Sequence, residues 1–295
     1  MLAHPASNPC RRRRAKPAPC YNPPMHVVLL RVALALYSVG LLHSILTVLN
    51  KKHTLFRASL YSVIAGFMFH TGSIIVRALE LQYMPLTQRH EAFSFFAALG
   101  ALGFLIAYAK YRITSLSVFV FPLIFILTFI ANMVYDPSNS IPPALQSNWI
   151  YIHTPLIFLG YAALFISFAG AVMYLIQERE LKSKQHSSFF HRLPALAICD
   201  DLSYRSLAIG FPLITLGIIS GALWAQSAWG TVWGGDLKIL LSLFTWFIYL
   251  VLINYRLIAG WRGKKAAYLG IAGFISVLIS FLGATYFGGL HTFSQ

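Results

Sequence analysis

The chain has 295 residues, 58% hydrophobic and only 11% charged, with a mean hydropathy of +0.67, a balance that excludes an ordinary soluble domain. Its formal net charge is +15, yet Lys and Arg are scattered through short connections rather than gathered on one aromatic-studded face, which excludes nucleic acid as the partner and leaves a membrane-topology signal. Cys10, Cys20 and Cys199 form no CxxC or CxxCH pair, so zinc binding, thiol exchange and covalent cofactor attachment have no support.

Residues 1–25 carry Arg11 to Arg14, Lys16 and several prolines and read as a basic disordered tail without a small-residue cleavage site. The domain then runs over 26–295. Apolar runs near the ~20 residues needed to cross a bilayer occur at 27–49, 57–79, 92–109, 114–135, 151–177, 205–224, 238–257 and 266–288. They lack the short alternation of barrel strands, so the expected fold is all-α, a polytopic transmembrane bundle of about eight spans in a lipid bilayer. One set of connections holds fourteen Lys and Arg and the other only Arg89 and Lys238. The positive-inside rule therefore puts the first set in the cytoplasm and both termini on the outer, periplasmic face, against the pull of the basic tail. The localisation this implies is the bacterial inner membrane. The connection 178–204, with Pro194 and Asp200-Asp201, is expected to hold a short surface helix, and no internal repeat supports inverted-repeat architecture.

Between the sixth and seventh spans lies an outer loop, Trp224-Ala-Gln-Ser-Ala-Trp229-Gly-Thr-Val-Trp233-Gly-Gly-Asp236-Leu-Lys238, which concentrates three of the six tryptophans. One Trp belongs to an interfacial aromatic belt. Three beside glycines make a flat apolar surface with N–H donors at its rim, suited to a planar macrocycle such as haem. Haem iron takes histidine ligands, and the topology puts His153 and His291 on the same face as the tryptophans. His70 lies thirteen residues into the second span, where an ionisable group points either to function or to a helix-to-helix hydrogen bond. His4, His26, His43, His53, His186 and His191 fall in tails, loops or the inner half of the first span and are not expected to ligate. Asp236 is expected to cap the seventh helix, Glu91 to charge the start of the third, and Arg77 and Arg89 to reach haem propionates. Nucleophile elbow, HExxH and P-loop patterns are absent, which excludes acyl and phosphoryl transfer by those routes.

The stretch Ala208-Ile-Gly-Phe-Pro through Trp224-Ala-Gln-Ser-Ala-Trp229-Gly-Thr-Val-Trp233, with Gly260-Trp-Arg-Gly-Lys-Lys and Gly289-Leu-His291, closely resembles the haem-handling cytochrome c assembly proteins of the CcsA and CcmC type. A weaker likeness runs through His153-Thr-Pro and the Pro85 to Glu91 loop, covering 26–295. The resemblance implies haem b held transiently on the outer face, with His153 and His291 as axial ligands of its iron and Trp224, Trp229, Trp233 and Asp236 in the tryptophan-rich motif; His70 joins the candidate set. It further implies transfer to the CxxCH cysteines of an apocytochrome c, a CcsB-type membrane partner, and a place in a haem lyase complex. The motif ends Trp233-Gly-Gly-Asp-Leu-Lys-Ile where the family commonly has Trp-Ser-Trp-Asp-Pro-Lys-Glu, and Asn254 stands where many relatives place an intramembrane histidine. The alternatives are a non-catalytic regulator or scaffold resembling the HemX branch, and a small-molecule transporter with His70 and Arg77 at its midplane.

Overall fold

A computed structural model of the protein describes residues 23–50, 53–136, 147–183, 193–232 and 237–286. Among them the regular structure consists of eight α-helices: α1 (Met25–Asn50), α2 (His53–Leu81), α3 (Arg89–Tyr111), α4 (Leu116–Met133), α5 (Ile150–Lys182), α6 (Leu196–Trp229), α7 (Leu237–Leu257) and α8 (Lys264–Tyr286). Each contains a stretch long and apolar enough to cross a membrane. A polytopic all-helical membrane fold follows, because a helix satisfies its own backbone groups where no water is available to do so. The tail 1–22 lies outside the described residues.

Successive helices pair as antiparallel hairpins, α1 with α2, α3 with α4, α5 with α6 and α7 with α8. Two ends of the bundle result: the Met25 end, where odd helices begin and even helices finish, and the Asn50 end. Helix α5 lies at the centre and packs against α3, α4, α6 and α8. Its Phe158 meets Phe96 of α3 and Phe281 of α8 with ring centroids 6.0 and 5.9 Å apart, and its Phe165 stacks on Phe274 of α8 at 5.3 Å. Helix α7 is peripheral, and its Phe244 and Phe247 point away from the bundle.

Helix α6 extends furthest beyond its apolar run, and α5 also outlasts its own. Instead of a surface helix inside a 178–204 connection, α5 continues to Lys182 and α6 begins at Leu196. The early start of α6 has a polar cause. Asp200 accepts from Arg256 of α7 at 2.9 Å and from the Gly263 backbone N–H at 3.2 Å, while Asp201 accepts from Tyr111 of α3 at 2.9 Å and from Arg205 one turn on at 2.7 Å. These two carboxylates, in the second turn of α6, tie α3, α7 and the α7–α8 turn to α6 at the Asn50 end.

Candidate functional site

The α5–α6 crossing is close because glycines line it. A Cβ on Gly160 would lie 2.5 Å from Ile214 and 3.3 Å from the Gly210 carbonyl, so the backbones meet without intervening side chains, as small residues permit in membrane helix pairs. Near the Met25 end this proximity lets a side chain of α5 reach the backbone of α6. His153, one turn into α5 and half-buried, places Nδ1 2.8 Å from the Gly217 carbonyl oxygen. A carbonyl only accepts, so Nδ1 carries the proton and the lone pair resides on Nε2.

Beside the imidazole stands Trp224, its ring centroid 5.6 Å away and its side chain buried. Trp229 stacks on Trp224 at 6.5 Å with 23° between planes. Both tryptophans belong to the last turns of α6 rather than to a loop. The helix runs on through Ala-Gln-Ser-Ala and stops at Gly230, whose φ of +70° closes it in the left-handed region that glycine adopts freely. The structure thus brings His153, Trp224 and Trp229 together; Trp233, Asp236 and His291 lie outside the described residues. Helix α7 begins at Leu237, directly after Asp236.

His70 is elsewhere. It is fully buried between α1, α2 and α3, with Nε2 2.8 Å from Ser94 Oγ and Nδ1 3.3 Å from Tyr37 Oη. Both ring nitrogens are engaged, which matches the helix-to-helix tie.

A polar cluster that sequence reasoning did not assemble occupies the Met25 end of α1, α2, α3 and α4. Arg77 Nε donates to Glu91 Oε1 at 3.0 Å and Nη2 to Gln88 at 3.4 Å, so this guanidinium, expected to reach haem propionates, is bound within the chain. Glu91 Oε2 accepts from the backbone N–H groups of Thr87 and Gln88 at 2.9 and 3.0 Å and from Thr87 Oγ1 at 3.2 Å. The signal was present: Glu91 stands three residues after Gln88, the N3 position of a capping box, and its acid returns to the N-cap backbone. His26, expected in a tail, is in the first turn of α1 and buried, because Pro23 and Pro24 start the helix just before it. Its Nδ1 meets Glu80 Oε2 at 2.5 Å, and both His26 and His90 lie edge-on to Tyr135, at 5.6 and 5.1 Å. Among the described residues, no three His, Cys, Asp or Glu side chains gather as a metal-ion site.

With this geometry in place, comparison with known proteins is decisive for the family. Residues 87–291 match the family described as cytochrome C assembly protein. The chain belongs to that family. Its similarity to a cytochrome c biogenesis protein CcsA of Guillardia theta is 31% identity over 90% of this chain and 92% of the relative. The CcsA protein of Heterosigma akashiwo is also 31% identical, over 74% and 79%, and that of Prochlorococcus marinus is 30% identical, over 82% and 86%. Among solved structures, the cytochrome c haem lyase CcmF matches with a TM-score of 0.64 and 17% identity, covering 91% of this chain. The chain spans about half of CcmF, 49%, and at that identity the likeness concerns the fold alone.

Proposed function

We propose that this cytochrome c assembly protein receives haem b as cargo at the Met25 end of its bundle and presents it for attachment to an apocytochrome c. Family membership carries the coarser part, a role in cytochrome c biogenesis. The observation that supports the finer part is the His153 seat: an imidazole fixed by a backbone carbonyl in the tautomer that leaves Nε2 as the donor atom, next to the stacked pair Trp224 and Trp229. This donor set suits haem. A neutral imidazole oriented through its second nitrogen is a strong iron ligand, and indole faces offer a macrocycle apolar area without flexible side chains to order.

In this reading His153 supplies one axial ligand and His291 the other, while Trp224, Trp229 and Trp233 flank the ring and Asp236 caps α7. Haem supplies the vinyl groups that become thioethers. The protein's contribution is position: it holds the cargo still and in one orientation while the cysteines of a CxxCH sequence approach, which turns a two-body encounter into a local reaction. His70 acts as a helix tie. The loop-charge asymmetry supports a Met25 end outside the cytoplasm, in a bacterial inner membrane. A CcsB-type membrane subunit shares the work.

A second reading keeps the fold without delivery, as in a HemX-like regulator. Asn254, where many relatives carry histidine, faces outward from α7 with its amide on the Leu250 carbonyl at 2.8 Å, a bond within its own helix. The full chain purified in detergent from haem-replete cells decides between the two. A Soret band with low-spin bis-histidine features, lost in both His153→Ala and His291→Ala, is the expected result. Absence of the band, with or without added haem, removes the haem reading, and a normal band combined with normal c-type cytochromes in a deletion strain favours the regulator.

A further inference from the structure

The face of α6 that meets α5 carries Gly210, Gly217 and Gly221, seven and four residues apart and so on one stripe of the helix. Two of them meet aliphatic groups. A Cβ on Gly210 would lie 2.8 Å from Leu164 Cγ, and one on Gly217 2.5 Å from Ile157 Cδ1. Gly221 meets something else: a Cβ there would lie 2.6 Å from His153 Cε1, 2.8 Å from its Nδ1 and 3.5 Å from its Nε2.

The imidazole therefore fills the space that any side chain at 221 would need. Cε1 lies between the two ring nitrogens, so an added methyl would press on the edge of the ring that bears the proton given to Gly217. The other walls of the seat leave little slack. The Gly217 carbonyl, one turn earlier, also accepts from Ser220 Oγ at 2.9 Å, and Trp224, three residues later, stands beside the ring. A ring displaced away from α6 loses the Nδ1–H bond to the carbonyl.

We propose that Gly221 is a positioning residue for His153: its missing side chain lets the imidazole dock on α6, and the docked bond to Gly217 sets the tautomer, plane and donor strength of the ring. This rests on the haem reading for its chemical consequence. An imidazole whose N–H is bonded to a carbonyl is a more basic ligand through its other nitrogen and is fixed in rotation. A more basic ligand favours the ferric state, so the docked ring lowers the reduction potential of the bound iron relative to an undocked one.

The test compares the full-length wild type with Gly221→Ala and, as a crowding control, Gly210→Ala, which inserts the same methyl into the same helix crossing but against Leu164 and the Gly160 carbonyl, away from the imidazole. All three are reconstituted in nanodiscs with haem. The expected result for Gly221→Ala is loss of part of the low-spin spectrum and an upward shift of the reduction potential, with a clearly smaller change in both for Gly210→Ala. Equal spectra and potentials in Gly221→Ala and wild type overturn the proposal; so does an equal change in Gly210→Ala, which would mark mere crowding. Nitrogen-15 NMR of the histidine rings in haem-free wild type gives a separate readout that needs no haem. It is expected to show His153 protonated on Nδ1, the signal being assigned by its loss in His153→Ala. A proton on Nε2 overturns the seat even if haem binds, whereas an Nδ1 proton in a protein without a Soret band leaves the seat standing and removes the haem reading.

Discussion

His70 and His153 lie on helices of the same bundle and are held in opposite ways. His70 sits between hydroxyls on two other helices, Ser94 on α3 and Tyr37 on α1. A hydroxyl can donate or accept, so both ring nitrogens are satisfied whichever carries the proton, and the ring serves as a knot between α1, α2 and α3. His153 faces a backbone carbonyl, which can only accept. That partner fixes the proton on Nδ1 and leaves the lone pair on Nε2, the atom that would hold haem iron in the proposed reading. Depth in the membrane therefore separates the two less well than the kind of partner each ring has found. In the α1–α4 half the charged Arg77 and Glu91 pair with each other at the Met25 end, whereas in the α5–α6 half that end gathers one imidazole and two indoles.

The largest effect that would break this comparison is expected at Glu91. Its side chain is 2% exposed and joins Arg77, Thr87 and Gln88. Replacement by Ala leaves a buried guanidinium without its counter-charge, a change that costs about 3–5 kcal/mol and strips α3 of its N-terminal cap. A thermal melt of Glu91→Ala in detergent is expected to fall far below wild type. A melt within a degree or two of wild type would show that water reaches this cluster and that the α1–α4 half is not closed.

How much of this was legible beforehand depends on what each feature rests on. The eight spans were legible because the bilayer demands long apolar stretches, and residues such as Val27 to Leu49 supply them regardless of their neighbours. The beginning of α6 was not, because Asp200, Asp201 and Arg205 interrupt the apolar run; only their partners Arg256, Tyr111 and the Gly263 N–H, distant in sequence, show why helix continues there. The tryptophans were legible as a cluster sharing a face with His153, but not as helical: Trp224 and Trp229 lie on the last turns of α6, and the stop is Gly230. Gly221 was illegible, since a glycine within an apolar helix acquires meaning only from what crosses it.

A smaller effect is expected at His70. Substitution by Leu keeps most of the volume and removes two hydrogen bonds, leaving the Ser94 and Tyr37 hydroxyls to find other partners in a dry interior, at about 1–3 kcal/mol. The melt should fall while the haem spectrum stays as in wild type. Loss of the Soret band in a folded His70→Leu protein would reverse the roles assigned to the two histidines and move the site toward α2.

The smallest effect concerns how α7 is attached. Trp246 Nε1 donates to Thr215 Oγ1 of α6 at 3.0 Å, and its ring stacks on Phe211 at 6.0 Å with 24° between planes. Trp246→Phe retains an aromatic ring and removes only the donor. The Thr215 hydroxyl remains bonded to the Phe211 carbonyl at 2.8 Å, so no buried group is abandoned and the loss should be about 0.5–1.5 kcal/mol. A double-mutant cycle with Thr215→Val checks this, because the two residues touch and their effects should fall short of additive by the worth of the shared bond. If Trp246→Phe instead lowers the melt as much as His70→Leu, α7 is held to α6 more firmly than one hydrogen bond explains. The peripheral helix then belongs with the α5–α6 half, contributing to the rigidity of the site rather than covering its side.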